Sequence, residues 1–353
     1  MKPGNRFIKP LKVLIASAVA ASLITGCSAP SSSSTPSSSG GQSSTAADTS
    51  TQTSSESSPK ELVTVRLGRV TSGATASALD AAVRLGKFEE AGINLEITDF
   101  SNGADGIAAL IGGSLDLFNG SYEHVLRQRE NGLDVKAFAL LNNRQSYKVM
   151  VRSDSALQTL EELRGAKIGV TKVGSLSDTT LRKILREVGV DPERDVEIVN
   201  AGTGATAVAA LESGNVEAAM IGGTTVAQLV NGGDYRVMYD PNFETAGLVL
   251  LGTTKWAEAN GDALKTYLAV FQKQLLEVKS NPADFLDLFR DDFKDFDDEL
   301  LTQVIRDENA RFPDDLVVTK AAADDVVKTQ LEQGTIKTEI PLEEAFDGSY
   351  LPN

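Results

Sequence analysis

Apolar residues alternate at Val63, Val65 and Leu67, the two-residue period of a half-buried strand. A Gly/Ser/Thr loop at Thr71 to Thr75 follows. The period then changes to that of a helix, with Leu79, Ala82, Val83 and Leu85 on one face. Gly92 breaks this pattern before a second strand, Ile93 to Thr98. Ser101-Asn102-Gly103 opens a helix with Ile107, Leu110 and Ile111 inward, and Gly112-Gly113 stops it. A third strand is predicted around Leu115 to Phe118, ending at Asn119-Gly120-Ser121. Strand and helix in alternation predict a parallel sheet covered by helices.

The same order recurs 101 residues later without a gap. Lys167 to Val170 reads as a strand, Gly174-Ser175 as a loop, Leu181, Ile184, Leu185 and Val188 as a helix face, and Val196 to Asn200 as a second strand. Gly68, Gly73, Glu96-Ile97, Gly103-Ala104, Ala108-Ala109-Leu110 and Gly113 each meet an identical residue in that register. These identities sit on loops and helix ends. Two units are too few for a solenoid and fit two similar α/β lobes.

Upstream of Glu61 the composition differs. Lys2, Arg6, Lys9 and Lys12 precede an apolar stretch from Leu11 to Ile24, the charged and apolar regions of a secretory signal, too short for a comfortable membrane span. It closes on Leu23-Ile24-Thr25-Gly26-Cys27, which resembles a bacterial lipobox. Residues 1–26 are therefore expected to be a signal peptide and Cys27 the lipidated mature N-terminus. Of the 33 residues from Ser28 to Lys60, 20 are Ser or Thr and none is Val, Ile, Leu or aromatic, so residues 27–60 are expected to form a disordered tether. A coil of that length reaches roughly 30 Å from a lipid surface. The expected location is extracytoplasmic, anchored to the cell membrane through Cys27.

Charge and rare residues narrow the function. The chain has 34 Lys and Arg against 49 Asp and Glu, and the first 26 residues hold four cations and no acids. The remainder, with 30 cations against 49 acids, carries −19 and lacks the field that draws in nucleic acid or anionic lipid. One Cys and one His exclude a disulfide framework, a Cys/His zinc site and a Cys-His pair within the folded body. No cofactor or metal is expected.

In open α/β sheets the ligand crevice lies beyond the carboxyl ends of the strands. The loops placed there contribute Thr71, Ser72, Ser101, Asn102, Asn119, Ser121 and Tyr122 from the first unit, and Gly174, Ser175, Ser177, Asp178, Thr203 and Thr224 from the second. Gly, Ser, Thr and Asn let the backbone approach a ligand and offer hydrogen bonds without a fixed charge; they are equally common as turn and cap residues. Tyr122 and Phe100 are placed for stacking, Tyr122 as an apolar wall with a polar tip. Arg69, Lys172 and Arg144 are the cations nearest the crevice. His124 is expected at the surface of its helix, and Trp256 as a packing or surface aromatic rather than a stacking platform. The acid run Asp291 to Glu299 lacks the spaced ligands and central Gly of a calcium loop and reads as a solvated helical connection.

Three segments carry a family resemblance: Gly86-Lys87-Phe88-Glu89-Glu90-Ala91-Gly92-Ile93, Leu160-Glu161-Glu162-Leu163-Arg164-Gly165-Ala166-Lys167-Ile168-Gly169-Val170, and Ala209-Ala210-Leu211-Glu212-Ser213-Gly214-Asn215-Val216-Glu217-Ala218-Ala219. Over residues 62 to about 350 the chain resembles the extracytoplasmic solute-binding proteins of ABC importers, in the nitrate/sulfonate/taurine and thiamine-precursor group. The resemblance implies the type II periplasmic binding protein fold: two α/β lobes with a crevice between them and a helical C-terminal part. It implies lobe 1 over residues 61–148 and 244–353 and lobe 2 over 149–243, hinged near Ser146 to Arg152 and Asp240 to Ala246. It also implies a monomer that captures a small molecule, either a sulfonate or other oxoanion or a heteroaromatic vitamin precursor, and delivers it to a permease with its ATPase. In that group the loop matching Gly174 to Asp178 lines the site and often carries a His. Asp178 stands near that position here, and a carboxylate beside an oxoanion repels it unless turned away or protonated. The rival readings are a sensing lipoprotein without transport and an enzyme of pyrimidine-precursor synthesis on the same fold.

Overall fold

The computed structural model describes residues 62–70 and 76–352. The signal segment, Cys27, the Ser/Thr tether and the candidates Thr71 and Ser72 lie outside the described residues.

The first unit runs β1 (Val63–Val70), α1 (Ala78–Arg84), α2 (Lys87–Ala91), β2 (Ile93–Phe100), α3 (Gly103–Ile111), β3 (Leu117–Ser121), α4 (Tyr122–Glu130) and β4 (Val135–Arg144). The second runs β5 (Tyr147–Arg152), β6 (Lys167–Val170), α5 (Leu176–Glu187), β7 (Glu197–Asn200), α6 (Ala205–Glu212), β8 (Ala218–Gly222), α7 (Thr225–Gly232) and β9 (Tyr235–Tyr239). The chain then continues through β10 (Glu244–Thr253), α8 (Thr254–Ala259), α9 (Gly261–Ser280), α10 (Leu286–Phe289), α11 (Asp298–Ala310), α12 (Lys320–Glu332) and α13 (Leu342–Ala345). The third strand falls two residues later than its apolar pattern suggested, because Asp116 turns back to bind Arg66: its carboxylate accepts the Arg66 backbone N–H at 2.8 Å and side-chain Nη2–H at 2.6 Å.

Among the described residues ten strands form two five-stranded sheets, ordered β2-β1-β3-β10-β4 and β7-β6-β8-β5-β9. The 101-residue register is kept in the pairing itself. Arg66 lies opposite Glu96 and Leu67 opposite Leu117; Lys167 lies opposite Glu197 and Ile168 opposite Ala218. In each sheet the fourth strand, which comes from beyond a crossing, runs antiparallel to both of its neighbours. The chain leaves the first sheet after Arg144 and returns at Glu244. Gln145 ties the crossings together: its N–H donates to the Phe243 carbonyl at 3.3 Å, and its side-chain oxygen accepts from the Ser146 and Tyr147 N–H groups.

Successive residues of each strand serve opposite faces. Leu117 and Leu250 pack with Phe138 and α9 on one face of the first sheet, while Phe118, Val249 and Leu251 pack with α4 and α12 on the other. The Phe118 ring lies so close to Gly106 and Gly120 that a Cβ on either would come within 2.4 Å of it. Val149, Val151, Ile168 and Met220 pack on one side of the second sheet, and Met150, Ala219 and Ile221 on the other. Along α9, Leu264, Tyr267, Leu268, Phe271, Leu275 and Val278 form one buried stripe, with Tyr267 stacked on Phe88 at 5.2 Å. The acid run of residues 291–299 includes buried Phe293 and Phe296, and Asp297 caps α11 by accepting from the Leu300 N–H at 2.8 Å.

Candidate functional site

A cavity of about 140 Å³ opens where the strand ends of both sheets meet. β1 and the start of α1 bring Arg69, Ser77 and Asp80; β3 brings Asn119; β4 brings Asn142. The first crossing adds Ser146 and Tyr147, and the second lobe adds Thr203, Gly222 and Gly223. Leu79, Leu141, Leu248, Phe271 and Phe312 supply an apolar wall, and Glu308 and Arg311 arrive from the end of α11. Gly222 lets the crossing pack closely, since a Cβ there would come within 3.2 Å of the Ser146 carbonyl and the Tyr147 ring.

Both guanidinium groups of this cavity are paired. Arg69 bonds Asp80 at 2.6 Å and Asp99 at 2.7 Å, and Arg311 pairs with Glu308. Burial alone would lower the Arg69 pKa; the two carboxylates outweigh it and raise it above its ordinary value. Asp80 also accepts from the Ser77 hydroxyl at 2.5 Å. Burial pushes the Tyr147 phenol up to about 12, so it is a neutral hydrogen-bonding group at physiological pH. The Asn119 side-chain oxygen is buried with no hydrogen-bond donor among the described residues. Such an acceptor calls for an N–H or O–H from whatever fills the cavity. Behind the wall, fully buried Asn309 of α11 accepts from the Ala78 N–H at 2.8 Å and donates to the Ala76 carbonyl at 2.9 Å, fixing the start of α1.

A larger compartment of about 730 Å³ shares Gly223, Glu308 and Arg311 with the first. Thr224, Val226 and Val230 of the second lobe line one side and Leu300 and Val304 of α11 the other, with Arg144 and Lys148 at the crossing.

Of the residues singled out in the sequence, Asn119 and Thr203 line the smaller cavity and Thr224 the larger. The others have different surroundings. Asn102 caps α3, accepting from the Asp105 N–H at 3.0 Å, and its amide reaches exposed Ser101 at 3.2 Å. Ser175 and Ser177 are buried: the Ser175 hydroxyl donates to the Lys172 carbonyl at 2.7 Å, and the Ser177 oxygen accepts from the Thr171 N–H at 2.9 Å. The Asp178 carboxylate is turned into its own loop, accepting from the Gly174 N–H at 2.8 Å and from Arg182 at 2.7 Å. Ser121 is buried, and Tyr122 is not an open wall: its ring is wholly enclosed with Phe118, Val125 and Leu126. Phe100 meets Phe118 edge-on at 6.2 Å. The Gly174 to Asp178 loop is met by Arg127 of α4, which donates to the Gly174 carbonyl, while Tyr122 on the same helix is covered within the first lobe by α12.

His124 is corrected as well. It is 3% exposed, with Nε2 so near Gly103 that a Cβ there would come within 2.7 Å, and burial first, the Arg127 charge second, lower its pKa to about 3. Of the three cations, Arg69 lines the smaller cavity and Arg144 the larger, whereas Lys172 pairs with Asp105 at 2.6 Å. Trp256 packs against the α9 side of the first sheet. Among the described residues no group of three or more His, Cys, Asp or Glu is placed to hold a metal ion. Sequence reasoning missed Glu308, Arg311 and Phe312, which lie outside the repeat; the only local sign is the helix end before Pro313.

A family model described as NMT1/THI5 like matches residues 76–284. Among solved structures, the periplasmic aliphatic sulphonate binding protein SsuA from Escherichia coli is similar at 20% identity, over 80% of this chain and 96% of its own, with a TM-score of 0.62. The alkanesulfonate-binding protein SsuA from Xanthomonas axonopodis pv. citri, bound to MOPS, is similar at 20% identity over 81% and 99%, TM-score 0.67. The periplasmic nitrate-binding protein NrtA from Synechocystis PCC 6803 is similar at 17% identity over 82% and 87%, TM-score 0.61. These likenesses show the fold to be that of periplasmic binding proteins. No curated protein matches.

Proposed function

The chain belongs to the NMT1/THI5-like family, and from that premise we propose that it is the lipid-anchored substrate-binding protein of an ABC importer. It captures a small molecule between its lobes outside the cytoplasm and delivers it to a permease. The observation that carries this reading is the cavity at the strand ends of both sheets, with an apolar wall, paired charges and the unpartnered Asn119 oxygen. Ligand recognition is assigned to Arg69, Asn119, Tyr147, Thr203 and Arg311, with Thr224 in the adjoining compartment and with Thr71 and Ser72, which follow β1 in sequence. Ser121, Tyr122, Gly174, Ser175, Ser177 and Asp178 are read instead as holding the lobes, with Ser101 and Asn102 at the start of α3.

Binding without turnover is supported by the site's chemistry. The two cavity carboxylates are engaged with guanidinium groups, and His124 lies away from the lining, neutral at physiological pH. Residues 1–26 serve as the export signal, Cys27 as the lipid attachment point and residues 28–60 as the tether, with lobe 1 over 61–148 and 244–353 and lobe 2 over 149–243.

Two experiments test this. Protein purified without denaturation, then denatured, should release one small molecule identifiable by mass spectrometry, and deletion should abolish uptake of that molecule; intact uptake in the deletion strain overturns the transport role. Cys27→Ser should move the protein out of the membrane fraction while leaving the body folded. Retention in the membrane overturns the anchor.

A further inference from the structure

On the side of the lobe contact away from the cavity, side chains of α4 and α12 reach the start of α5. Arg127 of α4 donates to the Gly174 carbonyl at 2.6 Å and to the Gln330 side-chain oxygen at 3.0 Å, and its Nη2 lies 3.0 Å from the Glu123 carboxylate. Glu123 and Gln330 are themselves buried, and the Gln330 amide donates to Glu123 at 2.9 Å. The guanidinium is therefore fixed from within the first lobe before it meets the second. Gly174 has φ +88°, a conformation that favours glycine and sets the direction of the accepting carbonyl. Further along, Gln333 donates to the Thr179 carbonyl at 2.9 Å, and Lys183 pairs with Asp325 at 2.9 Å while lying 4.3 Å from the centre of the Phe243 ring. A small space of about 30 Å³ sits here, where Leu176, Phe243 and Val326 meet Glu123, Gln145 and Thr179.

We propose that α4 and α12 form a polar clasp that seats α5, and with it the second lobe, independently of any ligand, with Arg127 as its positioning residue. The contacts that cross from one lobe to the other are hydrogen bonds and an ion pair that water can replace, so the seat orients the lobes without welding them. The two crossings alone leave a rotation free; the clasp adds a third point of support and confines the motion to the cavity side. This inference concerns the geometry of the chain alone and does not depend on what the cavity binds.

The test uses the full chain with Cys27→Ser and nitroxide labels on Lys87→Cys and Arg194→Cys, one in each lobe, after unfolding and refolding to strip bound small molecules. Pulsed electron-electron resonance should give one narrow distance distribution. Arg127→Ala and Lys183→Asp should each shift it to longer and broader distances, and Lys183→Asp with Asp325→Lys should restore it. A folded Arg127→Ala protein that melts earlier with an unshifted distribution overturns the positioning role. Should Arg127→Ala fail to fold, the charge exchange at 183 and 325 decides: unshifted distances in Lys183→Asp, or a double exchange that does not restore them, overturn the clasp.

Discussion

The contact between the lobes has two sides built from similar residue types, and they end in different states. On the clasp side Arg127 and Gln333 reach carbonyls of the opposing loop and helix, Gln330 backs Arg127 from within the first lobe, and the Ser and Thr hydroxyls of that loop bond to one another. On the cavity side Arg69 and Arg311 pair with carboxylates around a space, and the Asn119 oxygen faces it without a donor. Hydroxyl and amide side chains at strand ends are thus not ligand contacts by type. They become so only where the opposing lobe stops short of them.

Breaking the clasp side should cost most. Arg127→Met leaves the Glu123 carboxylate buried beside Gln330 without its charge partner, and about 3–5 kcal/mol of unfolding free energy should be lost. Urea unfolding measures this; a loss as small as that of Asn119→Ala would erase the distinction between the two sides. Asn309→Leu, behind the cavity wall, should cost about 2–4 kcal/mol, since the Ala78 N–H and Ala76 carbonyl lose their partner. It should also weaken ligand retention, because the start of α1 holds Ser77 and Asp80 in the cavity.

A pH titration sharpens the clasp side further. His124 has a folded pKa of about 3, below its ordinary value near 6.5, so the unfolded chain binds the proton that the folded protein refuses. Its contribution to stability is complete above about pH 6.5. It falls by up to about 1.4 kcal/mol per pH unit as the pH drops toward 3. His124→Gln should remove that slope, seen as the difference between wild-type and variant urea curves from pH 7.5 to 4.5; parallel curves would show that His124 keeps an ordinary pKa in the folded protein. The smallest stability change is expected on the cavity side. Asn119→Ala should alter unfolding by less than about 1 kcal/mol, since no protein hydrogen bond is lost at its oxygen. The same variant should retain far less of the small molecule that accompanies the purified wild-type protein.

Much of the frame was legible in the chain. The period of Val63, Val65 and Leu67 announced β1, the glycines at 103 and 113 bounded α3, and the 101-residue register reappears as matching strand pairs in the two sheets. Asn119 and Thr203 were found at strand-end loops for the same reason: backbone geometry fixes where a parallel strand hands over to a helix. Tyr122 and His124 were misjudged, because an aromatic ring or an imidazole on an otherwise polar helix is buried only when other elements cover it: α12, some 200 residues later, for Tyr122, and the start of α3 at Gly103 for His124.

What the sequence by itself determined is therefore local and repeated: the alternation of strand and helix, the glycine stops, the equality of the two units, and an acidic body with a single Cys placed before a Ser/Thr tract. These follow from periodicity and composition, which need no partner. The tertiary structure alone decided which strand-end loop faces open space. The Gly174 to Asp178 loop is closed by Arg127, and the cavity is completed by Glu308, Arg311 and Phe312. Both outcomes depend on long-range packing of the C-terminal helices α9, α11 and α12, which lie outside the repeated units and bury their apolar stripes against the first lobe.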